Sequence, residues 1–149
     1  MQERKAGVFV IATSNDISKL PPEFLRAGRW DEIWFVDLPN MTERVEIGKV
    51  MATKYTACAK VNAEQVAKYS DGYTGAEIEQ GYVDAMYRAF ADNRTVESAD
   101  VIAAMQTRIP LSVSAKEKID GLRKWSKGRA RNASKASESS SMESGRSIE

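Results

Sequence analysis

The strongest constraint on the fold is a five-residue run, Val8-Phe9-Val10-Ile11-Ala12, that is apolar without interruption and β-branched at three positions. A strand with one wet face alternates polar and apolar residues. An unbroken run needs cover on both faces, as a strand in a parallel sheet has. A second run, Ile33-Trp34-Phe35-Val36, follows and is stopped by Asp37-Leu38-Pro39. Between the two lie a polar turn, Thr13-Ser14-Asn15-Asp16, a break at Leu20-Pro21-Pro22, and a short helical turn over 23–27 closed by Gly28. Two strands joined by a long, partly helical crossover predict α/β architecture. Two strands cannot cover each other's faces, so residues 1–39 read as the C-terminal edge of a larger parallel sheet.

After Pro39 the pattern changes to helix starts. Asn40 with Glu43 predicts a helix to about residue 56, and Asn62 with Gln65 one to about residue 69. Thr74 with Glu77 is a capping box that opens a helix to about residue 92, with Ile78, Tyr82, Ala85 and Ala89 as its buried stripe. Ser98 starts a helix to about residue 108. The expectation is an all-α bundle after the α/β portion, with a helical subdomain over 40–112. Ser114 with Glu117 predicts a further helix over 113–126, its apolar face made by Ile119, Leu122 and Trp125. From residue 127 to 149 the chain is rich in Ser, Arg and Glu, with Met142 and Ile148 its sizeable apolar residues, and reads as disordered.

Composition excludes several chemistries. The chain of 149 residues contains no histidine, which removes His-based catalysis and His-ligated metal. Its one cysteine, Cys58, permits no internal disulfide and fits a reducing compartment. The formal charge is +1, so no bulk field favours nucleic acid or an anionic membrane. No apolar run approaches the length of a membrane span, and the N-terminus lacks an h-region of signal-peptide length. Arg123, Lys124, Lys127, Arg129 and Arg131 fall close together without an intervening acid. Glu138, Glu143 and Glu149 follow, and a solvated helix end is the expected reading rather than a nucleic-acid site.

Three features point to phosphate chemistry. Asn15 lies just past the first strand-like run, where open α/β sheets bind ligands, and its amide can orient a water or simply shape a turn. Arg26 and Arg29 stand three residues apart on the loop before the second run; they read as a planar donor clamp for phosphate or as two solvated charges. Gly72-Tyr73-Thr74-Gly75-Ala76-Glu77 places small side chains in the first turn of a helix, where a ligand can approach free backbone N–H groups, or where the helix is merely capped.

Taken in order, the buried run ending in Asn15, then Leu25-Arg26-Ala27-Gly28-Arg29-Trp30-Asp31, the strand ending in Asp37-Leu38-Pro39 and the later Gly72-Tyr73-Thr74-Gly75-Ala76-Glu77 resemble the AAA+ ATPases. The resemblance covers residues 8 to about 108. It is closest to the narrower AAA branch, whose pattern reads Leu-Arg-x-Gly-Arg-Phe-Asp; Trp30 replaces its Phe. The segments 36–39 and 109–131 are also similar to an uncharacterised AAA family found in bacteria and some plastid genomes. By resemblance, Asn15 takes the sensor-1 role near the γ-phosphate, and Arg26 and Arg29 are arginine fingers reaching the nucleotide of a neighbouring subunit. Gly75 and Ala76 occupy the sensor-2 position in a helical lid, and Ile47 and Met51 flank adenine, although both also suit a core. The resemblance implies ATP with Mg2+, a homo-oligomeric and hexameric ring, remodelling of a protein substrate, and a cytoplasmic or plastid-stromal location.

The sequence contains no Gly-x-x-x-x-Gly-Lys-Ser/Thr loop and no apolar strand ending in the acids that bind Mg2+. The expectation is therefore an ATPase part that does not hydrolyse ATP alone. The alternative is a non-catalytic helical module that docks on an intact AAA+ partner, and the run at 8–12, which requires a sheet, argues against it.

Overall fold

The caps expected at Asn40, Asn62 and Thr74 are built as hydrogen bonds in the computed structural model, which describes residues 8–26 and 28–134. Helix α1 spans Met41–Lys54. The Glu43 N–H donates to the Asn40 side chain at 3.0 Å, and the Asn40 N–H donates back to the Glu43 carboxylate at 2.9 Å. Helix α2, Ala63–Lys68, starts where the Gln65 N–H donates to Asn62 Oδ1 at 2.9 Å. Helix α3, Gly75–Ala91, carries the Thr74–Glu77 box. Helix α4 spans Ser98–Gln106. Here the cap differs from expectation. Glu97 is the N-cap, and Ser98 is already helical; its hydroxyl accepts the Asn62 N–H at 2.9 Å and so ties α4 to the start of α2.

The stripe read on α3 is the centre of the core. Ile78, Tyr82, Ala85 and Ala89 are all buried, packed with Val66, Val101 and Met105. Two glycines set the spacing of the helices. A methyl at Gly48 would stand 2.8 Å from Ala63 Cβ and 3.1 Å from its Cα, so α1 runs against the start of α2. A methyl at Gly81 would stand 2.5 Å from Met105 Cγ, so α3 lies close on α4.

Beyond the bundle the chain departs from expectation in three places. Ser114 does not cap the last long helix. Pro110 begins a short helix α5, Leu111–Ser114, because its fixed φ is preset for a helical start. Ser114 is therefore helical, its hydroxyl donating back to the Pro110 carbonyl, and α6, Lys116–Ser126, follows after Ala115. The run at 8–12 forms no strand: Val8, Phe9 and Ile11 are exposed, since no neighbouring strand pairs with it among the described residues. The second run does form a strand, β1, over Trp34–Phe35.

The third departure concerns the segment expected to be disordered. Its first residues, 127–134, are ordered. The chain turns after α6, with the Arg129 and Ala130 N–H groups both donating to the Ser126 carbonyl at 3.0 Å. Arg131–Asn132 then forms β2, which pairs in parallel with β1 in the register Trp34 to Arg131 and Phe35 to Asn132. The ladder bonds run from Arg131 N to the Ile33 carbonyl and from Ala133 N to the Phe35 carbonyl, each at 2.9 Å. Composition hid this strand because a two-residue edge strand needs backbone groups and one ion pair, Arg131 with Glu32 at 3.1 Å, rather than apolar side chains. Residues 135–149 of the expected tail lie outside the described residues.

The close approach at Gly48 gives a test in which two effects oppose. Alanine in a helix interior normally stabilises by about 1 kcal/mol over glycine. The contact with the Ala63 backbone cannot yield as a flexible side chain would, and overpacking costs about 1–3 kcal/mol. Gly48→Ala is expected to lower the midpoint of urea unfolding, and a raised midpoint would refute the close packing of α1 on α2.

Candidate functional site

The sequence-predicted residues fall into two groups, on different parts of the chain. The first runs along one exposed segment. Asn15 is exposed, directly before a 3-10 turn over Ile17–Lys19. Asp16 caps that turn, accepting the Ser18 N–H at 3.2 Å and its hydroxyl at 2.6 Å, and the Ser18 bond holds the Asp16 carboxyl below its ordinary range. A second 3-10 turn, Pro22–Leu25, starts at a proline. Arg26 and Arg29 follow, both exposed and linked by a backbone bond from Arg29 N to the Arg26 carbonyl at 3.4 Å. Gly28, at φ +84°, supplies the left-handed turn between them that a side-chain-bearing residue adopts at a cost. Trp30 closes the loop: its indole N–H donates to the Phe24 carbonyl at 2.8 Å. A phenylalanine at this position would lack that donor.

The second group lies where α1 meets the start of α3. Gly75 is the first residue of α3, and a methyl placed on it would stand 3.6 Å from Ile47 Cδ1, an ordinary contact. Ile47 is half-buried beside it, and Ala76, next along α3, is exposed. Met51, one turn further along α1, belongs to the core, so packing accounts for it fully. The structure thus joins Ile47 to Gly75 and leaves Ala76 at the surface of the same helix start.

That helix start is also held by the end of α4 and the segment after it. The Tyr73 hydroxyl donates to the Met105 carbonyl at 3.0 Å, with the Arg108 carbonyl at 3.2 Å. Glu77 has a second task beyond its cap: its Oε1 accepts the Leu111 N–H at 2.9 Å. Gly72, at φ +78°, passes so close to Ser112 that a methyl there would meet Ser112 Oγ at 2.3 Å.

Sequence reasoning missed the residues that hold these parts together. Arg44 is buried, and its guanidinium donates to the Ala67 carbonyl at 3.0 Å, the Pro39 carbonyl at 3.0 Å and Asp71 at 2.9 Å. The available signal was spacing: Arg44, Gly48 and Met51 form the buried stripe of α1, and a charge on such a stripe needs partners. Arg123 grips Asp37 with two donors, Nε to Oδ2 at 2.8 Å and Nη2 to Oδ1 at 2.9 Å. Together with the Arg131–Glu32 pair and the Arg129 bond to the Trp125 carbonyl, this takes three of the five residues of the basic run into contacts within the chain. Cys58 is buried and its thiol is pushed up by that burial, which marks it as a packing residue rather than a nucleophile. Among the described residues no group of three or more Cys, Asp or Glu could hold a metal ion, and no helix is long and apolar enough to cross a membrane.

The Arg44 network separates two energies. Asp71 is exposed, so its ion pair contributes little, within about 1 kcal/mol. The two backbone carbonyls lose their donor if the guanidinium goes, which costs about 1–3 kcal/mol. Arg44→Met, which keeps the apolar stem, is expected to destabilise markedly, and Asp71→Asn hardly at all. Equal losses in thermal unfolding would assign the stabilisation to the ion pair instead.

No protein-family model matches the chain. Curated proteins do. It is 41% identical over 137 residues, 90% of its length, to the "Uncharacterized AAA domain-containing protein ycf46" of Pyropia yezoensis, and 38% identical over the same length to that of Guillardia theta. It is 36% identical over 99 residues to a proteasome-activating nucleotidase of Saccharolobus islandicus, which covers 66% of the chain. The chain spans 28% of the Pyropia yezoensis protein and 25% of the nucleotidase. With this likeness running through both the arginine loop and the helical bundle, the chain belongs to the AAA+ ATPase family, matching its C-terminal part.

Proposed function

We propose that this chain supplies the sensor-1 residue, the arginine fingers and the lid of an oligomeric AAA+ ATPase that binds and hydrolyses ATP and remodels a protein substrate. The observation that carries this reading is the arginine loop. Arg26 and Arg29 are exposed on a segment that turns at Gly28 and is closed by the Trp30–Phe24 bond. An exposed pair of arginines three residues apart suits a phosphate brought from outside the chain, on a neighbouring subunit of a homo-oligomeric, hexameric ring. Its planar forks stabilise the charge that develops as the γ-phosphoryl group transfers. In this reading Asn15, just past the strand-like run, orients the attacking water. Ile47 offers an apolar wall for adenine, backed by Met51. In this reading Gly75 and Ala76 put the smallest side chains at the start of α3, where the nucleotide approaches the backbone.

The exposed apolar residues support the sheet that this reading requires. Phe9 is 85% exposed, Ile11 78% and Val36 76%, as expected of strand-like residues that further elements would cover. These residues are the proposed C-terminal edge of a P-loop NTPase core. Mg2+ accompanies ATP in such sites. The described residues offer no ligand set for it, so its binding is not assigned to this chain. The sequence also has no phosphate-cradling glycine loop, and the 149-residue chain by itself is proposed to be inactive.

The test is made in the full-length ATPase carrying this sequence. Arg26→Ala and Arg29→Ala should each lower ATP turnover by about 10³-fold or more while sparing nucleotide affinity, because an arginine finger contributes only in the transition state. Rings doped with either variant should lose activity with the number of mixed interfaces. Loss of affinity confined to the variant's own site, with normal turnover by its neighbours, would overturn the trans assignment. Asn15→Ala should lower turnover with little change in affinity, and unchanged turnover would remove Asn15 from the mechanism.

A further inference from the structure

The segment after the helical bundle returns to the chain on both sides of the arginine loop. Its root is fixed at the start of α3, through Leu111 N on Glu77 and Ser112 N on the Gly72 carbonyl at 3.4 Å. From there α6 crosses to the N-terminal segment. Leu122 and Trp125 face Leu20, Pro22 and Leu25 across a cleft of about 500 Å³, and Leu25 is the residue before Arg26. Lys118, on the same helix, lies within electrostatic reach of Asp16, next to Asn15. On the far side of the loop, Arg123 grips Asp37, Arg131 pairs with Glu32, and β2 hydrogen-bonds along β1. Residues 118–133 thus share a cleft with the chain before Arg26 and are bonded to the chain after Arg29, so the loop lies between these two flanks.

We propose that Arg123 is a positioning residue for the arginine fingers: its two-donor grip on Asp37 fastens α6 to the foot of the loop that carries Arg26 and Arg29. The inference rests on the finger reading of those two arginines. Arg123 touches neither nucleotide nor reacting atoms in this account. It acts through Asp37, which is the acceptor of the Leu38 N–H at 2.7 Å as well and so cannot turn away without losing a second bond. Both side chains are partly exposed, so the pair contributes little to overall stability. Its effect is geometric. A displacement of about 1 Å at a group acting on a transition state costs on the order of 10²-fold in rate. Because the root of the same segment sits on the start of α3, a shift of the lid would also be felt at the loop through this joint.

The experiment measures ATP turnover and nucleotide affinity in the full-length ATPase. Arg123→Ala should lower kcat by roughly 10- to 100-fold with KM for ATP unchanged. Arg123→Lys, which keeps the charge but not the fork, should fall between. Joining Asp37→Arg to Arg123→Asp should recover much of the loss caused by either change alone, a recovery that a general packing role would not give. If Arg123→Ala fails to assemble, Asp37→Asn, nearly isosteric, carries the same test of kcat. Turnover within about twofold of the parent in these variants, or a loss that appears in KM and is not recovered by the swap, would overturn the positioning role. Should Arg26→Ala and Arg29→Ala themselves leave turnover intact, the finger reading fails; if they abolish it while Arg123→Ala does not, only the positioning inference fails.

Discussion

One buried guanidinium holds the junction on which the rest of the chain depends. At Pro39 the sequence leaves β1 and enters α1, and the change of direction leaves the Pro39 carbonyl without a helical partner. Arg44 donates to it, and in the same fork to the Ala67 carbonyl at the end of α2. A lysine could not reach both with fixed geometry, since it presents a single point of charge. This one side chain therefore ties the strand end to both α1 and α2. What that fork does for the chain entering α1, the fork of Arg123 does for α6.

The two forks join what would otherwise be two unrelated bodies. Arg44 couples the strand end to α1 and α2. The segment beyond α4 is tied to the start of α3 by Tyr73 and Glu77, and to the arginine loop by α6 and β2. These ties form a continuous path of contacts from the helix start proposed to face a nucleotide to the strand that follows the loop proposed to face another subunit's phosphate. Such coupling suits a ring in which each subunit responds to its own nucleotide and acts on its neighbour's.

The bundle was legible in the sequence because its signals are local. Caps such as Asn40 with Glu43 and Thr74 with Glu77 act within four residues, and the stripe of α3 repeats at helical spacing. The candidate residues at 15, 26, 29 and 75 could be picked out, since a motif with fixed spacing is a local signal too. What escaped was non-local. Arg123 lies 86 residues from Asp37, and nothing in the basic run marks one arginine as paired. β2 escaped because a parallel edge strand draws on backbone groups and reads as polar coil. The run at 8–12 failed as a strand for the opposite reason: its composition calls for a sheet whose other members these residues do not supply.

The central claim is that Arg26 and Arg29 serve a nucleotide held by another subunit. A structure of the assembled full-length ATPase, with Mg2+ and a non-hydrolysable ATP analogue, tests it most directly. The Arg26 and Arg29 guanidinium groups of one subunit should lie about 3 Å from the γ-phosphate oxygens bound to its neighbour. Both arginines turned toward solvent, or toward the nucleotide of their own subunit, would contradict it.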